Sequence, residues 1–389
     1  MNGGRLGVVG AGTMGAGIAQ LGCLGGFQVT LHDSDPQALA TGADRLQAAL
    51  AKGAGRGLWS AGDAAAAAGR LSTTLSVDEL AGSELVIEAA PEDLELKRAL
   101  FDRLAAACGT DAILATNTSS LPVSEVAAAV EAPERVCGMH FFNPPPLMRL
   151  VEIVAGEYTS EYTLRRATAV ARDMKRQPVR ASDSPGFIVN RCNRPFSLEA
   201  LRMLGERFAT HAEIDAAMRE RGGYRMGPFE LMDLIGVDVN LEVARSFYGQ
   251  RAEPRWEPHP IQEEMVEAGR LGRKTGAGFY EYRAGRRIEP EPKLGHRPAD
   301  PVAIVERIVA QLVNEANFAA EEGVAKPDDI DTAMRLGLNH PRGPFEWQRE
   351  LGADLLVEVL EDLAESLGEP QRYRVAAPLL AATAGSDDG

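Results

Sequence analysis

Near its beginning the chain carries a short apolar segment that runs straight into the pattern Gly-x-Gly-x-x-Gly, and this feature strongly limits the possible folds. Residues 6–15 read Leu-Gly-Val-Val-Gly-Ala-Gly-Thr-Met-Gly, helix-compatible sequence follows, and a second apolar segment covers residues 28–32. A strand, a glycine-rich turn, a helix and a second strand in this order are typical of the βαβ unit that binds dinucleotides. Because a lone glycine pattern also marks plain turns, the prediction depends on the flanking strands and helix.

Each part of the glycine pattern has a physical role in such a unit. Gly10 permits a tight turn, Gly12 lets the backbone approach a pyrophosphate, and Gly15 lets the helix pack closely on the strand. Thr13 and Met14 stand at the start of the helix, whose N–H groups and partial positive charge favour phosphates. These five residues form the predicted phosphate-binding part of the site.

The second strand leads into Asp33, which favours one cofactor over another. A carboxylate at this position accepts hydrogen bonds from a ribose 2′-hydroxyl and repels a 2′-phosphate. The following Ser34-Asp35-Pro36 adds no basic residue, so the sequence favours NAD over NADP. The alternative is that Asp33 only caps the helix that begins at Pro36.

Composition and charge exclude several other classes of protein. The 389 residues are 45% hydrophobic and 25% charged, as in ordinary globular proteins, and the formal net charge is −15. The negative charge argues against nucleic acid or an anionic membrane as a partner, and no apolar run reaches the ~18 residues of a membrane span. The first strand begins at about residue 5, without room for a signal peptide. The scattered cysteines and histidines lack metal-site spacing, so we expect a cytoplasmic protein without a metal.

Strand-like and helix-like segments alternate along residues 1–183. Apolar segments at 85–89, 112–116, 136–142 and 150–154 alternate with helical patterns at 37–69, 94–107 and 121–130. This alternation predicts a mostly parallel, doubly wound α/β sheet of the Rossmann type. From residue 184 the pattern becomes all-helical, with long helices predicted at 188–204 and 303–322.

The helical part contains an internal repeat. Residues 190–238 align without gaps with residues 306–354 at a constant offset of 116, and both copies contain Ile-Asp, Ala-Met-Arg and Gly-Pro-Phe-Glu. Proline in the first turn and glutamate near the positive end of the helix dipole make Gly-Pro-Phe-Glu a helix start. We predict domains at 1–183, 184–283 and 301–389, with a linker rich in Pro, Gly and charge at 284–300.

Polar residues follow two of the predicted strands, at the sheet edge where open α/β folds bind ligands. Asn117 and Ser119 come after strand 112–116, and His140 lies at the end of strand 136–142. Twelve residues beyond His140, Glu152 supplies a carboxylate that can hold the imidazole. A histidine held in this way is a suitable general base, which the oxidation of an alcohol by NAD requires. The alternatives are a helix cap for the 117–119 run and an ordinary core histidine.

Asn190 lies on the first long helix after the change of pattern, and we expect it to face the cleft between the domains, where pockets are frequent. The aligned residue of the second repeat is Glu306. A site role for Asn190 is therefore not duplicated, which indicates one catalytic module and one diverged copy.

Together these motifs resemble the 3-hydroxyacyl-CoA dehydrogenases. The resemblance covers residues 5–283 and includes Ala-Thr-Asn-Thr-Ser-Ser-Leu, Met-His-Phe-Phe-Asn-Pro-Pro-Pro, Ser-Pro-Gly-Phe-Ile-Val-Asn-Arg and Gly-Arg-Lys-Thr-Gly-Ala-Gly-Phe-Tyr. It implies a Rossmann-type domain followed by two tandem all-α modules similar to the C-terminal domain of 6-phosphogluconate dehydrogenase. The implied reaction is the NAD-dependent oxidation of (3S)-3-hydroxyacyl-CoA to 3-oxoacyl-CoA, as in the β-oxidation of fatty acids.

The resemblance also implies roles in catalysis for four residues of this sequence. His140 would be the general base, with Glu152 orienting it and supporting its charge. Ser119 and Asn190 would hydrogen-bond the C3 oxygen of the substrate.

A second group of residues is implied to contact the cofactor. Glu92 and Lys97 would lie at the nicotinamide ribose, and Asn117 and Asn143 would complete the cofactor pocket. They add to the predicted phosphate-binding turn and Asp33.

One segment departs from the pattern of the family, which often has a Lys-rich helical hairpin that meets the CoA phosphates. The corresponding residues 47–69 contain only Lys52 and Arg56 among many Ala and Gly, and Lys52 is the implied substrate contact. The weak positive charge leaves open a related dehydrogenase of a free hydroxy acid or sugar acid. A non-catalytic NAD-binding protein is a third hypothesis.

The resemblance bears on assembly as well. The amphipathic helix at 303–322 needs an apolar partner, and single-module relatives dimerise through this region. We therefore predict that the two helical modules pack as an internal pseudo-dimer, with a homodimer of whole chains left open. Acyl-CoA is the implied substrate partner.

Overall fold

The computed structural model describes residues 3–288 and 298–384, and the chain forms two compact units, residues 1–187 and 188–389. The first unit is built on one eight-stranded sheet. Its strands are β1 Arg5–Val9, β2 Gln28–His32, β3 Leu71–Thr74, β4 Leu85–Glu88, β5 Ile113–Thr116, β6 Val136–Phe141, β7 Leu150–Ala155 and β8 Gln177–Ser182. In space they follow the order β3-β2-β1-β4-β5-β6-β7-β8.

Neighbouring strands of this sheet are parallel, apart from the antiparallel pair of β6 and β7. The helices of the unit are α1 Thr13–Leu24, α2 Pro36–Gly55, α3 Ala61–Ala68, α4 Leu94–Ala107, α5 Val123–Ala127 and α6 Glu161–Asp173. The strand order reverses direction between β1 and β4, and a crevice for ligands forms at the carboxyl ends of strands at such a point. The predicted mostly parallel, doubly wound sheet is confirmed.

Three elements of this unit were not predicted from the sequence, and two of them are strands with few apolar residues. Strand β3 reads Leu-Ser-Thr-Thr, and β8 reads Gln-Pro-Val-Arg-Ala-Ser. Both are edge strands of the sheet, so neither needs a continuous apolar run. Helix α6 was likewise not predicted, and the helical region expected at 37–69 is two helices, α2 and α3.

The second unit is helical. Its elements are α7 Val189–Cys192, α8 Arg194–Gly205, α9 His211–Glu220, α10 Pro228–Ile235, α11 Val237–Gln250, α12 Pro260–Glu267, β9 Glu281–Arg283, β10 Arg286–Ile288, α13 Pro301–Glu321, α14 Pro327–Leu338, α15 Pro344–Leu351, α16 Ala353–Leu367 and α17 Ala377–Ala384. No helix in the described ranges combines the length and the apolar character needed to cross a membrane.

Two sequence expectations for this unit change in detail. The single helix expected at 188–204 is interrupted at Asn193, two residues before Pro195, which cannot donate an N–H to a continuous helix. The first part of the linker expected at 284–300 folds as strand β10, which pairs antiparallel with β9. Residues 289–297 of that linker and 385–389 of the predicted last domain lie outside the described residues.

Helix α13 is the centre of the second unit. It packs against α8 and α9 of the first repeat and against α15 and α16 of the second. Leu198 and Leu201 of α8 share one apolar core with Ile308 and Leu312 of α13. The Gly-Pro-Phe-Glu sequences begin α10 and α15, as predicted, and each glutamate accepts a hydrogen bond from the backbone N–H of its own glycine.

A buried arginine of the first repeat bonds two glutamates of the second. Arg191 donates from Nε to Glu315 at 2.8 Å and from both Nη atoms to Glu322 at 2.9 Å. At the offset of 116, these glutamates are equivalent to Glu199 and Glu206 of the first repeat.

The equivalent arginine of the second repeat makes the same bonds in reverse. Arg307 donates from Nε to Glu199 at 2.6 Å and from its two Nη atoms to Glu206 at 2.7 and 2.8 Å. Each repeat therefore supplies an arginine to the equivalent pair of glutamates in the other repeat, as happens across a twofold axis.

Candidate active site

The turn after β1 requires glycine at two of its three glycine positions. Gly10 has φ +96°, and a Cβ there would lie 2.5 Å from the carbonyl oxygen of Ala89. A Cβ on Gly15 would lie 1.7 Å from the carbonyl oxygen of Gly10, so the start of α1 could not pack on the turn. Around Gly12 the space is open to 4 Å, so a ligand can approach the backbone there.

The start of α1 has the chemistry of an anion site. Gly12 is the N-cap residue and has no side-chain oxygen, so the first N–H groups of α1 keep their capacity to donate to a phosphate. Thr13 is exposed and Met14 is half-buried at this end of the helix. Both positions therefore suit the predicted phosphate-binding turn.

Asp33 is held in place by the backbone of the same turn. Its Oδ2 accepts from the N–H of Ala11 at 2.8 Å, and its Oδ1 accepts from the N–H of Asp35 at 3.0 Å. Each carboxylate oxygen retains a further lone pair, which fits the hydroxyls of a ribose. The N-cap of α2 is Asp35, which accepts from Gln37, so capping that helix is not the role of Asp33.

These residues line a cleft of about 580 Å³ within the first unit, a volume in the range of cofactor sites. Its walls come from the glycine turn, the end of β2, the segment after β4 and the exposed face of α4. Arg103 and Leu100 of α4 line it, and neither was predicted. Their spacing from Leu96, four and seven residues along one helix, is the signal that places them on one face.

Glu92 organises the loop that follows β5. Its Oε1 accepts from the hydroxyl of Thr118 at 2.6 Å and from the backbone N–H groups of Ser119 and Ser120 at 2.9 and 3.1 Å. Burial alone would raise the pKa of this carboxyl, but the hydrogen bond from Thr118 and the charge of Lys97 outweigh it and lower the pKa. Glu92 therefore acts as an ionised anchor for the predicted Ser119.

Lys97 supports this anchor from inside the protein. The side chain is 1% exposed, and its ammonium donates to Glu88 at 2.6 Å and lies 3.4 Å from Glu92. Glu88, at the end of β4, also accepts from the Thr116 hydroxyl at 2.7 Å and from the backbone of Ala90 at 2.6 Å. Glu88 was not predicted, because a single acid at the end of an apolar strand carries little pattern.

The two predicted asparagines lie at strand ends. Asn117 follows β5, and its Oδ1 accepts from the backbone N–H of Phe141 at the end of β6, at 2.8 Å. Asn143 is exposed two residues beyond β6. Asn117 therefore fixes the ends of two neighbouring strands, one of which carries His140.

His140 and Glu152 face each other across the antiparallel strands β6 and β7. His140 Nδ1 lies 2.5 Å from Glu152 Oε2, and the glutamate is fully buried. A carboxylate partner at Nδ1 favours the tautomer with the proton on that nitrogen, which leaves Nε2 with a lone pair that can accept a proton. The ring centroids of Phe142 and Phe187 lie 4.5 and 5.7 Å from that of the imidazole.

The two remaining predicted substrate contacts stand on helices α7 and α2. Asn190 is on α7 of the second unit, where its carbonyl oxygen accepts from Arg194 Nε at 3.1 Å. Lys52 is exposed in the last turn of α2, where a cation is also favoured by the helix dipole. Their roles stay predictions.

Comparison with protein families gives a match over most of the chain. Residues 5–184 match the NAD binding domain of the 3-hydroxyacyl-CoA dehydrogenases. Residues 186–282 and 304–385 match the C-terminal domain of the same family.

Individual relatives agree with this match. The chain is 37% identical to 3-hydroxyadipyl-CoA dehydrogenase of Escherichia coli K12, over 94% of each protein. It is 39% identical to 3-hydroxybutyryl-CoA dehydrogenase of Clostridioides difficile, over 72% of this chain and 99% of the relative. A crystal structure of 3-hydroxybutyryl-CoA dehydrogenase from Escherichia coli K12 superposes with a TM-score of 0.93 at 34% identity, covering 100% of this chain and 99% of that one.

Proposed function

The chain belongs to the 3-hydroxyacyl-CoA dehydrogenase family, and we propose that it oxidises the C3 hydroxyl of a (3S)-3-hydroxyacyl-CoA with His140 as the general base. Its family makes it an NAD-dependent oxidoreductase that acts on a CH–OH group. The hydrogen bond between His140 and Glu152 is the observation that carries the assignment of the base.

In the proposed reaction, the proton of the C3 hydroxyl moves to His140 Nε2 while the C3–H bond breaks and the carbon–oxygen double bond forms. NAD, when bound, accepts the hydride that leaves C3. The buried carboxylate of Glu152 offsets the positive charge that the imidazole gains. The products are a 3-oxoacyl-CoA, NADH and a proton on the histidine.

Ser119 and Asn190 are proposed to hydrogen-bond the C3 oxygen and hold it toward the histidine. Support for Ser119 comes from its loop, which Glu92 fixes through the backbone N–H groups of Ser119 and Ser120. Support for Asn190 comes from its motif and from the repeat, which has Glu306 at that position. A donor aimed at a developing oxyanion typically contributes ~10² to 10³-fold to turnover.

The residues proposed to hold NAD fit a dinucleotide. The N–H groups at Gly12, Thr13 and Met14 would meet the pyrophosphate, with the turn shaped by Gly10 and Gly15. Asp33 would bind the ribose hydroxyls at the far end of the same cleft. Glu92, Lys97, Asn117 and Asn143 are proposed for the nicotinamide end, where Lys97 contributes through its contact with Glu92.

Measuring NADH formation with (S)-3-hydroxybutyryl-CoA and with free 3-hydroxybutyrate tests the substrate class. We expect turnover of the thioester alone. Turnover of the free acid alone would instead support the second hypothesis, for which the sparse basic residues of 47–69, Lys52 and Arg56, are the motivation. Lack of turnover with either substrate, in protein that still binds NAD, would favour a non-catalytic protein.

His140→Ala tests the general base. We expect turnover to fall by ~10² to 10⁴-fold, with NAD affinity close to that of the unaltered protein, because general-base catalysis typically contributes this much. Glu152→Gln keeps the size of the carboxylate partner but removes its charge, so it should give a smaller loss. Unaltered turnover in His140→Ala would assign the base elsewhere.

The two helical repeats are proposed to form an internal pseudo-dimer, with 184–283 and 301–389 as the two modules. The reciprocal bonds of Arg191 and Arg307 support this, because a twofold interface pairs each residue with the same partner in both directions. A homodimer of whole chains is a further possibility that sedimentation would test. Deletion of residues 301–389 should expose the apolar face of α8 and cause loss of soluble protein; a stable monomer of unchanged stability would contradict the pseudo-dimer.

The site of action is proposed to be the cytoplasm. All four cysteines, at positions 23, 108, 137 and 192, are buried, which suits a compartment where thiols stay reduced. Fractionation of cells that express the tagged chain would test this.

The relatives leave the acyl group open. One is named for 3-hydroxybutyryl-CoA and another for 3-hydroxyadipyl-CoA, whose acyl chain ends in a carboxylate. Either acyl group fits the proposed reaction, because only the C3 carbon reacts.

A further inference from the structure

Six arginines are buried in the part of the chain that the structure describes. Four of them donate to carboxylates; these are Arg191, Arg202, Arg255 and Arg307. Arg135 donates from both Nη atoms to backbone carbonyls, although its Nε is buried without a partner in the described ranges. The side chain of Arg194 has a single hydrogen bond among the described residues. Within the described residues it has no carboxylate partner, and its guanidinium donates from Nε to the carbonyl oxygen of Asn190.

The surroundings of Arg194 make this an expensive arrangement. Its side chain is 6% exposed, and Nη1 is buried without a hydrogen-bond partner among the described residues. Burial lowers the pKa of Arg194 to about 10, so the group is still charged at neutral pH. The ring of Phe247 lies 5.6 Å from the guanidinium carbon, which offsets only a part of the lost hydration. A buried cation is normally stabilised by a counter-charge, and among the residues that the structure describes Arg194 has none.

Packing of the repeat does not explain this arginine. The equivalent position of the second repeat is Ala310, which is fully buried on α13. Asn193, whose Oδ1 is also buried without a partner in the described ranges, corresponds to Val309. The helical module thus folds with two small apolar residues where the first repeat has two polar ones.

The position of Arg194 relates it to the proposed substrate. It follows Asn190 by four residues and bonds that residue's backbone at 3.1 Å, so the two side chains belong to one turn of the chain. The proposed function puts Asn190 at the C3 oxygen. A terminal group bound by Arg194 would therefore belong to a short acyl chain, whose end stays near C3.

We propose that Arg194 binds a carboxylate at the far end of the acyl chain, so that the preferred substrates are CoA thioesters of short 3-hydroxy dicarboxylic acids. This inference rests on the proposed function. A carboxylate matches the guanidinium fork and supplies the missing counter-charge, whereas a terminal methyl group would leave the cation unpaired. Recognition of a buried polar group in this way discriminates strongly, because the wrong substrate leaves the site unsatisfied.

The test compares two substrates of equal length, 3-hydroxyadipyl-CoA and (S)-3-hydroxyhexanoyl-CoA, which differ in a terminal carboxylate or methyl group. For the unaltered chain we expect kcat/KM to be at least ~10-fold higher for the dicarboxylic substrate. In Arg194→Ala, which introduces the residue of the second repeat, kcat/KM for that substrate should fall by ~10². The value for the hexanoyl substrate should stay within about threefold.

Two further variants keep the result interpretable. Arg194→Lys retains a charge without the fork and should recover part of the preference, and Arg194→Met keeps the bulk without the charge and should behave as Arg194→Ala. Arg335→Gln, at an exposed ion pair with Glu346, is the matched control and should leave both substrates unchanged.

The outcomes separate this inference from the proposed function. Absence of turnover with both thioesters in the unaltered chain would overturn the proposed function itself. Turnover of the hexanoyl substrate without any preference for the carboxylate would overturn the role of Arg194 alone. An equal loss for both substrates in the Arg194 variants would assign the guanidinium to a shared part of the substrate, such as a CoA phosphate, and would likewise overturn the role.

Discussion

The first helical repeat carries Asn190 and Arg194 where the second carries Glu306 and Ala310. At the position that follows Asn190 and Glu306, by contrast, both repeats have an arginine. Arg191 and Arg307 each donate from Nε to a glutamate of the opposite repeat. Residues that both copies share thus hold the repeats together, whereas residues found in one copy are those proposed for chemistry. Comparing a chain with its own second copy separates packing from function without any other sequence.

The largest expected effect tests the shared residues. Arg307→Met removes the partner of two glutamates, of which Glu199 is fully buried, and should lower the free energy of unfolding by about 3–5 kcal/mol. Arg335→Gln breaks an exposed pair of the same repeat and should cost below ~1 kcal/mol. Urea unfolding measures both. Equal losses in the two variants would remove the distinction between a packing arginine and a surface arginine.

The next prediction tests the residues that differ. Asn190→Ala should lower kcat/KM by ~10² to 10³-fold, because a donor to the developing oxyanion is lost. Glu306→Ala, at the equivalent position, should leave kcat/KM unchanged. Steady-state rates of NADH formation give both values, with the unfolding midpoint measured alongside. A comparable loss of activity in both variants would show that the second copy still takes part in the reaction.

A third prediction concerns pH. Tyr224 and His340 occupy equivalent positions and pack edge to face with ring centroids 5.0 Å apart. Burial lowers the pKa of His340 to about 3, below the 6.5 of an exposed histidine. The neutral ring therefore contributes its full stability above pH 6.5, and the contribution is lost as the pH falls from 6.5 toward 3.

The expected loss is about 1.4 kcal/mol for each pH unit in that window, or roughly 2–3 kcal/mol at pH 4.5. His340→Phe cannot titrate and should lack this part of the acid sensitivity. Unfolding midpoints in urea at pH 7.5, 6 and 4.5 compare the two proteins. Parallel curves for the variant and the unaltered chain would contradict a neutral buried histidine.

The smallest expected difference lies between two helix caps that the repeats share. Asp215 accepts from the N–H groups of Phe229 and Glu230 and from the Tyr280 hydroxyl, whereas Asp331 accepts from the N–H of Phe345. Asp215→Ala leaves more buried donors unpaired and should cost about 2 kcal/mol, against about 1 kcal/mol for Asp331→Ala. Thermal unfolding measures the loss of stability in each variant. A larger loss for Asp331→Ala than for Asp215→Ala would contradict the prediction.

Much of the first unit could be predicted from sequence because its strands are apolar and its turn needs glycine. Gly10 and Gly15 have no room for a side chain, and that constraint is visible as the spacing of the motif. Edge strands β3 and β8 were missed because one side of an edge is not covered by another strand. A polar run such as Leu-Ser-Thr-Thr can then serve as a strand.

The candidate site was only partly predictable. The pairing of His140 with Glu152 follows from a register between two strands, which the family resemblance implied and the sequence spacing alone did not fix. The roles of Glu88 and Arg194 depend on what surrounds them in space, and neither residue stands out in its own segment. Burial without a partner is a property of packing, so it became visible only with the fold.

The presence of both repeats in one chain has a consequence for how such a protein can change. In a dimer of identical chains, every substitution appears twice and must be tolerated on both sides of the axis. Here a change at position 194 leaves position 310 untouched, so one copy can acquire a charged group while the other retains alanine. Joining the copies also makes their association independent of dilution. The duplication thus permits asymmetry that two separate chains of one gene could not maintain.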